Sequence, residues 1–176
     1  MFQIVKAKYR AQNYVYALVV VVFITGNFSS YLEFQKDWFK QLSIIRNMST
    51  SSIIKDNTTF LFVDHTYRVN AKRRIYRFYE YSALMKSAFG DETRLGVNNG
   101  EWGPTFVQTI NGVKEYSQYC ISNYFFTEPQ YKVTINYASY KLSDMNTLRL
   151  IWYKYYDKEK YEGTIRGIVY FDYIKI

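Results

Sequence analysis

Between Arg10 and Glu33 the chain carries no charged residue. That uncharged stretch, Ala11 to Leu32, is 22 residues long and contains the run VYALVVVVFITG at 15–26. As an α-helix it would reach about 33 Å at about 1.5 Å per residue, against a bilayer hydrocarbon core of about 30 Å. Tyr14, Tyr16 and Tyr31 stand near its ends, where amphipathic rings prefer the headgroup level. Lys6, Lys8 and Arg10 precede it without an acid, the excess of cations that marks a cytoplasmic flank.

Two other readings stand beside a membrane span. A cleaved signal peptide would keep the same orientation, but Ala-x-Ala is absent, and Thr25, Gly26 and Ser29 are poorly spaced for cleavage. A core strand would rest on Val19 to Val22, since β-branched residues favour strands. In lipid that preference weakens, because a helix satisfies every backbone group within one segment. The flanks favour the span. The expected location is the cell membrane, with the N-terminus cytoplasmic and the body extracytoplasmic.

The remainder of the 176 residues is enough for one domain with a real core. Net charge is +8, of which the three N-terminal cations leave +5 for the body. That balance is too mild for a nucleic-acid footprint, and no nucleic-acid partner is expected. Cys120 is the single cysteine, so an intramolecular disulfide is excluded and the body must hold itself by packing. His65 is the single histidine, and zinc spacing is absent. No metal and no cofactor are expected. Sequons at Asn27, Asn47 and Asn57 would matter only in a eukaryotic secretory setting.

Residues 31–48 place Tyr31, Phe34, Trp38, Leu42, Ile45 and Met48 at helical spacing on one apolar face. This predicts a continuation of the span or a short interfacial helix. Residues 49–59 read as a polar connection, and TFLFV at 59–63 as a short buried strand ending at Asp64. Ile75, Phe78, Leu84, Met85 and Phe89 predict a helix over about 71–89, with Asn70 as N-cap and Gly90 as C-cap. GDETRLGVNNGEWGP at 90–104 is the longest loop. Residues 113–124 suit a helix, although Asn111-Gly112 is a hairpin signal. YKVTINYA, TLRLIWYKYY and GTIRGIVYFDYIKI read as three strands, the last two joined by the charged turn DKEKYEG. The expectation is α+β: one N-terminal transmembrane helix, a juxtamembrane helix, then an extracytoplasmic domain with helices and a C-terminal antiparallel sheet. The corresponding divisions are residues 1–32, 33–58 and 59–176.

Chemistry is sparse. Cys120 and His65 are the only thiol–imidazole pair, and a buried Cys that behaves as a small hydrophobe accounts for the first as well. Asp64, Asp91, Glu92 and Glu101 lie at a strand end or in the long loop, where loop salt bridges and caps compete with a catalytic pair. No phosphate-binding glycine loop is present. The most informative segment is YRVNAKRRIYRFYEY, with Arg68, Lys72, Arg73, Arg74 and Arg77 among tyrosines. Arg73 and Arg77 would share a helix face, and guanidinium forks suit phosphate or carboxylate. These five are the candidate anion- or headgroup-binding residues; a solvated helix face beside a membrane is the plainer account. In the long loop, Trp102 could stack on a sugar while Asp91 or Glu92 accepts hydroxyl hydrogen bonds and Arg94 orients the acids. With Asp64 these form the candidate glycan-binding set. The alternative is that Trp102 anchors the loop by burying its ring.

At RFYEYSALMKSAFGDETRLG the chain resembles the extracytoplasmic C-terminal tail of bacterial polytopic membrane glycosyltransferases and polysaccharide-assembly proteins. In such tails the last span is followed by a helix ending in Trp (KDWFKQLSIIRNM here), a strand ending in Asp (TFLFVD), a Tyr-Glu-Tyr helix and a Gly-Asp-Glu-Thr-Arg loop. The resemblance covers residues 11–176 and carries over no catalytic residue, because the catalytic acids of such proteins sit in early loops between spans. One span stands where that family has many, so the chain is expected to be a fragment or a single-span relative. The resemblance implies a membrane-anchored, non-catalytic accessory module of envelope glycan or lipid-linked sugar assembly. Its partners would be membrane lipid, other transmembrane segments of a longer protein, and glycan or lipid-linked sugar. A stand-alone envelope glycan hydrolase or transferase, using Asp64 and acids of the 90–104 loop, is the alternative.

Overall fold

The computed structural model describes residues 2–54, 59–107, 124, 127–138 and 146–176. One helix, α1 (Phe2–Thr50), runs through the uncharged stretch and on into the body. Every described residue from Gln12 to Tyr31 is exposed, including Val15 to Ile24 and Phe28. From Asp37 onward α1 is part of the core, burying Asp37, Phe39, Lys40, Ser43, Ile44 and Met48. The buried face is therefore rotated from the expected apolar stripe, and Phe34 and Trp38 stay exposed. Three polar residues can face inward because each finds a partner there: Tyr76 and Ala71 for Asp37, Asp64 for Lys40, and the Val169 amide for Ser43.

The body is mixed helix and sheet. β1 (Phe60–Asp64), β2 (Gly96–Asn98), β3 (Tyr131–Tyr137) and β4 (Val169–Lys175) form one sheet in the order β2-β1-β3-β4. β1 pairs in parallel with β2 and β3, and only β3 and β4 are antiparallel. α2 (Phe78–Phe89) is the crossover between β1 and β2. It stops at Gly90, whose left-handed φ of 72° and N–H to the Lys86 carbonyl form the expected C-cap. α3 (Thr147–Tyr156) and α4 (Lys158–Arg166) precede β4.

β1 is buried on both faces, as its unbroken apolar run requires. Phe60 and Phe62 join α1, α2, α4 and β3 in the main core, while Leu61 joins Leu95 and Val97 beneath Phe78, Trp102 and Phe106. Gly96 sets the approach of α2 to the sheet. A Cβ there would meet Phe62 Cε2 and Tyr81 Cβ at 2.9 Å and Met85 Sδ at 3.0 Å. Gly96→Ala is expected to cost about 1–3 kcal/mol, as overpacking does. Thermal unfolding of the full chain in nonionic detergent measures it; an unchanged midpoint would show that α2 can shift freely.

Two sequence expectations are corrected. TLRLIWYKYY is helix α3, not a strand, and DKEKYEG opens helix α4 rather than making a turn. Asn146 and Asp157 are the reason. The Asn146 side chain accepts the Arg149 N–H at 3.1 Å and the Asp157 side chain accepts the Lys160 N–H at 3.1 Å, two N-caps that start the helices. The C-terminal antiparallel sheet accordingly shrinks to one strand pair. The helix expected over 71–89 also begins late, at Phe78. Asn70 caps no helix, because its amide donates to the Arg74 carbonyl at 2.6 Å and its oxygen accepts from Lys40 at 2.5 Å. Residues 113–123, with Cys120 and the helix-or-hairpin question, lie outside the described residues.

Candidate functional site: a basic turn at the base of the domain

Successive turns of α1 meet successive levels of the body. Glu33 accepts the Lys72 N–H at 2.6 Å, and Asp37 accepts the Ala71 N–H at 3.0 Å and the Tyr76 hydroxyl. Lys40 meets Asp64, and Asn47 meets the Val169 carbonyl at 3.1 Å. Tyr173 donates to Ser51, just beyond the helix, at 2.7 Å. Asp64 is the carboxyl end of β1, so that end of the parallel strands faces the exposed apolar part of α1. Leu32 lies about 12 Å along the helix from Lys40.

A buried polar cluster fastens this end. Lys40 is 0% exposed and the Asp64 side chain 1%. Asp64 Oδ1 also accepts the Thr66 N–H at 2.7 Å and the Thr66 hydroxyl at 2.6 Å, and the Lys40 ammonium lies 4.8 Å from the Tyr76 ring centre. Burial pulls the Lys40 pKa down, and Asp64 with Asp37 pulls it partly back. Burial, then the Asp37 carboxylate, pushes the Tyr76 hydroxyl far above its ordinary range. Closed from solvent and satisfied from several elements, the cluster clamps α1 to β1 and to the following turn. His65, next in sequence, is exposed and bonds Asn136 at 2.9 Å.

The turn after β1 carries the five cations. Lys72 and Arg73 have φ of 57° and 53°, two successive left-handed residues that are not glycine. Each such residue costs about 1–2 kcal/mol. The Glu33 and Asp37 bonds from α1 hold the turn there, and Arg74 to Arg77 then run extended until α2 starts. The cations thus sit on a clamped turn, not on a helix face. Arg73, Arg74 and Arg77 nonetheless come together. With Ile75, Asn98, Gly100 and Glu101 they line a groove of about 550 Å³ outside the carboxyl end of β2. Arg74 pairs with Glu80, and Arg77 with Glu101 at 3.0 Å. Lys72, Arg73 and Arg68 are exposed and make no ion pair among the described residues. Arg68 does not line the groove and sits in a single 3₁₀ turn, Tyr67–Val69, just after β1.

The five glycan candidates do not gather. β2 splits the long loop. Asp91, Glu92 and Arg94 lie beyond the amino end of the strands, and Trp102 lies past the carboxyl end of β2. Asp64 is separated from the first group by the length of β1, about 13 Å. That exceeds the spacing of about 5–9 Å that glycoside cleavage uses. Each acid is also engaged. Asp91 accepts the Thr93 N–H at 2.8 Å and its hydroxyl at 2.7 Å, which hold its carboxyl below the usual range. Glu92 pairs with Lys86 at 2.7 Å. Arg94 is buried, donates to the Ile54 carbonyl and lies 4.0 Å over the Phe89 ring. Trp102 is half-buried against Phe106, with ring centres 6.0 Å apart. Among the described residues no three His, Cys, Asp or Glu side chains gather as metal ligands would.

Asn98, Gly100 and Glu101 complete the groove but carry none of the cation pattern that marks residues 68–77 in the sequence. The legible signal was the glycine-bearing turn that ends β2. Glu101 also accepts the Phe78 N–H at 2.9 Å and so caps α2 from outside it. The chain matches no protein-family model, no curated protein and no solved structure.

Proposed function

We propose that the chain is a membrane-anchored, non-catalytic module held against the bilayer surface by α1. Residues 11–32 cross the membrane, the N-terminal cations stay in the cytoplasm, and the domain stands outside. The observation that carries this reading is the exposure of α1 from Gln12 to Tyr31, an apolar helix without a protein partner. An unpartnered apolar surface of that size calls for lipid. Tyr31, Phe34 and Trp38, all exposed on α1 at and just past the end of its apolar part, suit the headgroup level. The clamp of Lys40 and Asp64 then fixes how the domain stands on the membrane. The role itself, an accessory module of envelope glycan or lipid-linked sugar assembly, rests on the resemblance of its motifs.

A chain tagged at both ends is expected to stay in the pellet, with both tags, when membranes are washed with alkaline carbonate. Protease added outside intact cells is expected to remove the C-terminal tag and spare the N-terminal one. Release of the intact chain by carbonate would rule out the span, and loss of the N-terminal tag from a soluble body would make residues 11–32 a signal peptide.

A further inference from the structure

We propose that the turn from Ala71 to Arg77 is a binding site for the phosphate headgroup of one anionic phospholipid in the leaflet from which α1 emerges. The site rests on the anchored reading above. Its height follows from α1. The Lys72 N–H donates to Glu33, the first residue past the uncharged stretch, so the turn lies level with the end of the apolar helix. Its shape follows from strain. Left-handed backbone at Lys72 and Arg73 is held by two α1 carboxylates and presents both side chains away from the core. Strained residues persist where surrounding structure over-determines them, and here that structure is the helix leaving the membrane.

The chemistry fits a phosphodiester. Lys72 and Arg73 offer unpaired cations, and Arg74 and Arg77 keep partly exposed guanidinium groups. Of the four acids around the turn, Asp37 is buried beneath it, Glu33 gives one oxygen to the Lys72 N–H, and the two that pair with the arginines at the groove, Glu80 and Glu101, are spent. Glu80 uses one oxygen for Arg74 and the other for the Arg77 N–H, and Glu101 uses one for Arg77 and the other for the Phe78 N–H. They orient the arginines without turning a free carboxylate oxygen toward a phosphate. Ile75, 57% exposed between these cations, adds an apolar contact for the acyl boundary. A groove of about 550 Å³ holds a headgroup together with its phosphate. Cations beside an anionic leaflet each add about fivefold in affinity.

The full chain in nonionic detergent is titrated with dihexanoyl phosphatidylglycerol, dihexanoyl phosphatidylcholine and inorganic phosphate, binding being read as the rise in thermal midpoint. Phosphatidylglycerol is expected to bind more tightly than either of the others. Lys72→Gln with Arg73→Gln is expected to weaken it about 30-fold, and Lys72→Arg with Arg73→Lys to retain it. The lipid-free midpoint of both variants should match that of the parent. Equal binding of phosphatidylcholine would reduce the site to acyl-chain contact, and equal binding of inorganic phosphate would make it a free-phosphate site. Either result, or an unchanged affinity in the Gln variant, overturns the proposal. Retention by carbonate without a phosphatidylglycerol preference defeats the site alone, whereas carbonate release defeats the anchor and the site together.

Discussion

Lys40→Met is expected to destabilise the domain by about 3–5 kcal/mol, the cost of removing one member of a buried ion pair. The change leaves the Asp64 carboxylate, 1% exposed, without its cation, and leaves the Asn70 oxygen without its donor at 2.5 Å. It also removes the ammonium from the Tyr76 ring. Met fills most of the lysine's volume, so the loss reports charge and hydrogen bonding more than a cavity. For a body of this size the thermal midpoint should fall by roughly 10–20 °C. Asp64→Asn should destabilise as well, because Lys40 then stays buried opposite a neutral amide. The double variant should lose less than the two single losses combined, since the second change removes a charge already left unpaired. Thermal unfolding of the four proteins in nonionic detergent measures the coupling. Additive losses would mean that Lys40 and Asp64 do not act as a pair, and the clamp between α1 and the sheet would have to lie elsewhere.

The second large effect is alkaline. Burial, and for Tyr76 the Asp37 carboxylate, raises the pKa of Tyr76 and Tyr81 above that of a free tyrosine. Below about pH 10 both hydroxyls are protonated in the folded and unfolded chains, and their contribution to stability is whole. Above it the unfolded chain loses two protons that the folded chain keeps. Stability then falls by about 2.7 kcal/mol per pH unit for the two together. Lys40 acts with the opposite sign. Its folded pKa is lowered, so the unfolded chain holds the extra proton between that value and about 10.5, and stability rises with pH through that window. Past it Lys40 adds nothing further. The thermal midpoint should therefore hold or climb to about pH 10 and fall steeply beyond about 10.5. Tyr137, Tyr161 and Tyr173, also raised by burial, add to the descent, and Tyr81→Phe should remove about 1.4 kcal/mol per pH unit from it. Its hydroxyl has no hydrogen-bond partner among the described residues, and its ring keeps the stack on Phe62 at 4.6 Å. An undiminished slope in that variant, or ultraviolet absorbance showing all tyrosines ionising before unfolding, would remove Tyr81 from this account.

Much of the architecture was legible in one dimension because local chemistry alone decided it. Ala11 to Leu32 has no charge to place, so its helix and its exposure follow from composition and length. Phe60 to Val63 is apolar throughout and bounded by turn formers, which marks a short buried strand. Gly90 ends α2 because only glycine enters the left-handed region there without strain. The alternation in YKVTINYA matched one covered face of β3, and mixed helix and sheet followed from these parts.

Tertiary contacts decided the rest. Asp37, Lys40 and Ser43 read as solvent-facing until Tyr76, Asp64 and the Val169 amide turn them inward, which rotates the buried face of α1. The cations at 68–77 have the spacing of a helix. Glu33 and Asp37, more than thirty residues earlier, hold the Lys72 and Ala71 amides in a turn whose left-handed φ at Lys72 and Arg73 keeps a helix from forming there. TLRLIWYKYY has strand-favouring residues, yet the Asn146 cap and burial of Leu150 make it a helix, since β-propensity yields to packing. The long loop reads as one unit, but pairing of Gly96 to Asn98 with β1 sends Asp91 and Glu92 to one end of the sheet and Trp102 to the other. In each case the local preference was worth a few tenths to about 1 kcal/mol, small enough for a cap, a buried side chain or a distant hydrogen-bond partner to override it. Composition and length determined that an apolar helix precedes a packed body, because those depend on neighbours in sequence. Which side chains meet at the base of that body depended on partners distant in sequence, and only the folded chain brings those together.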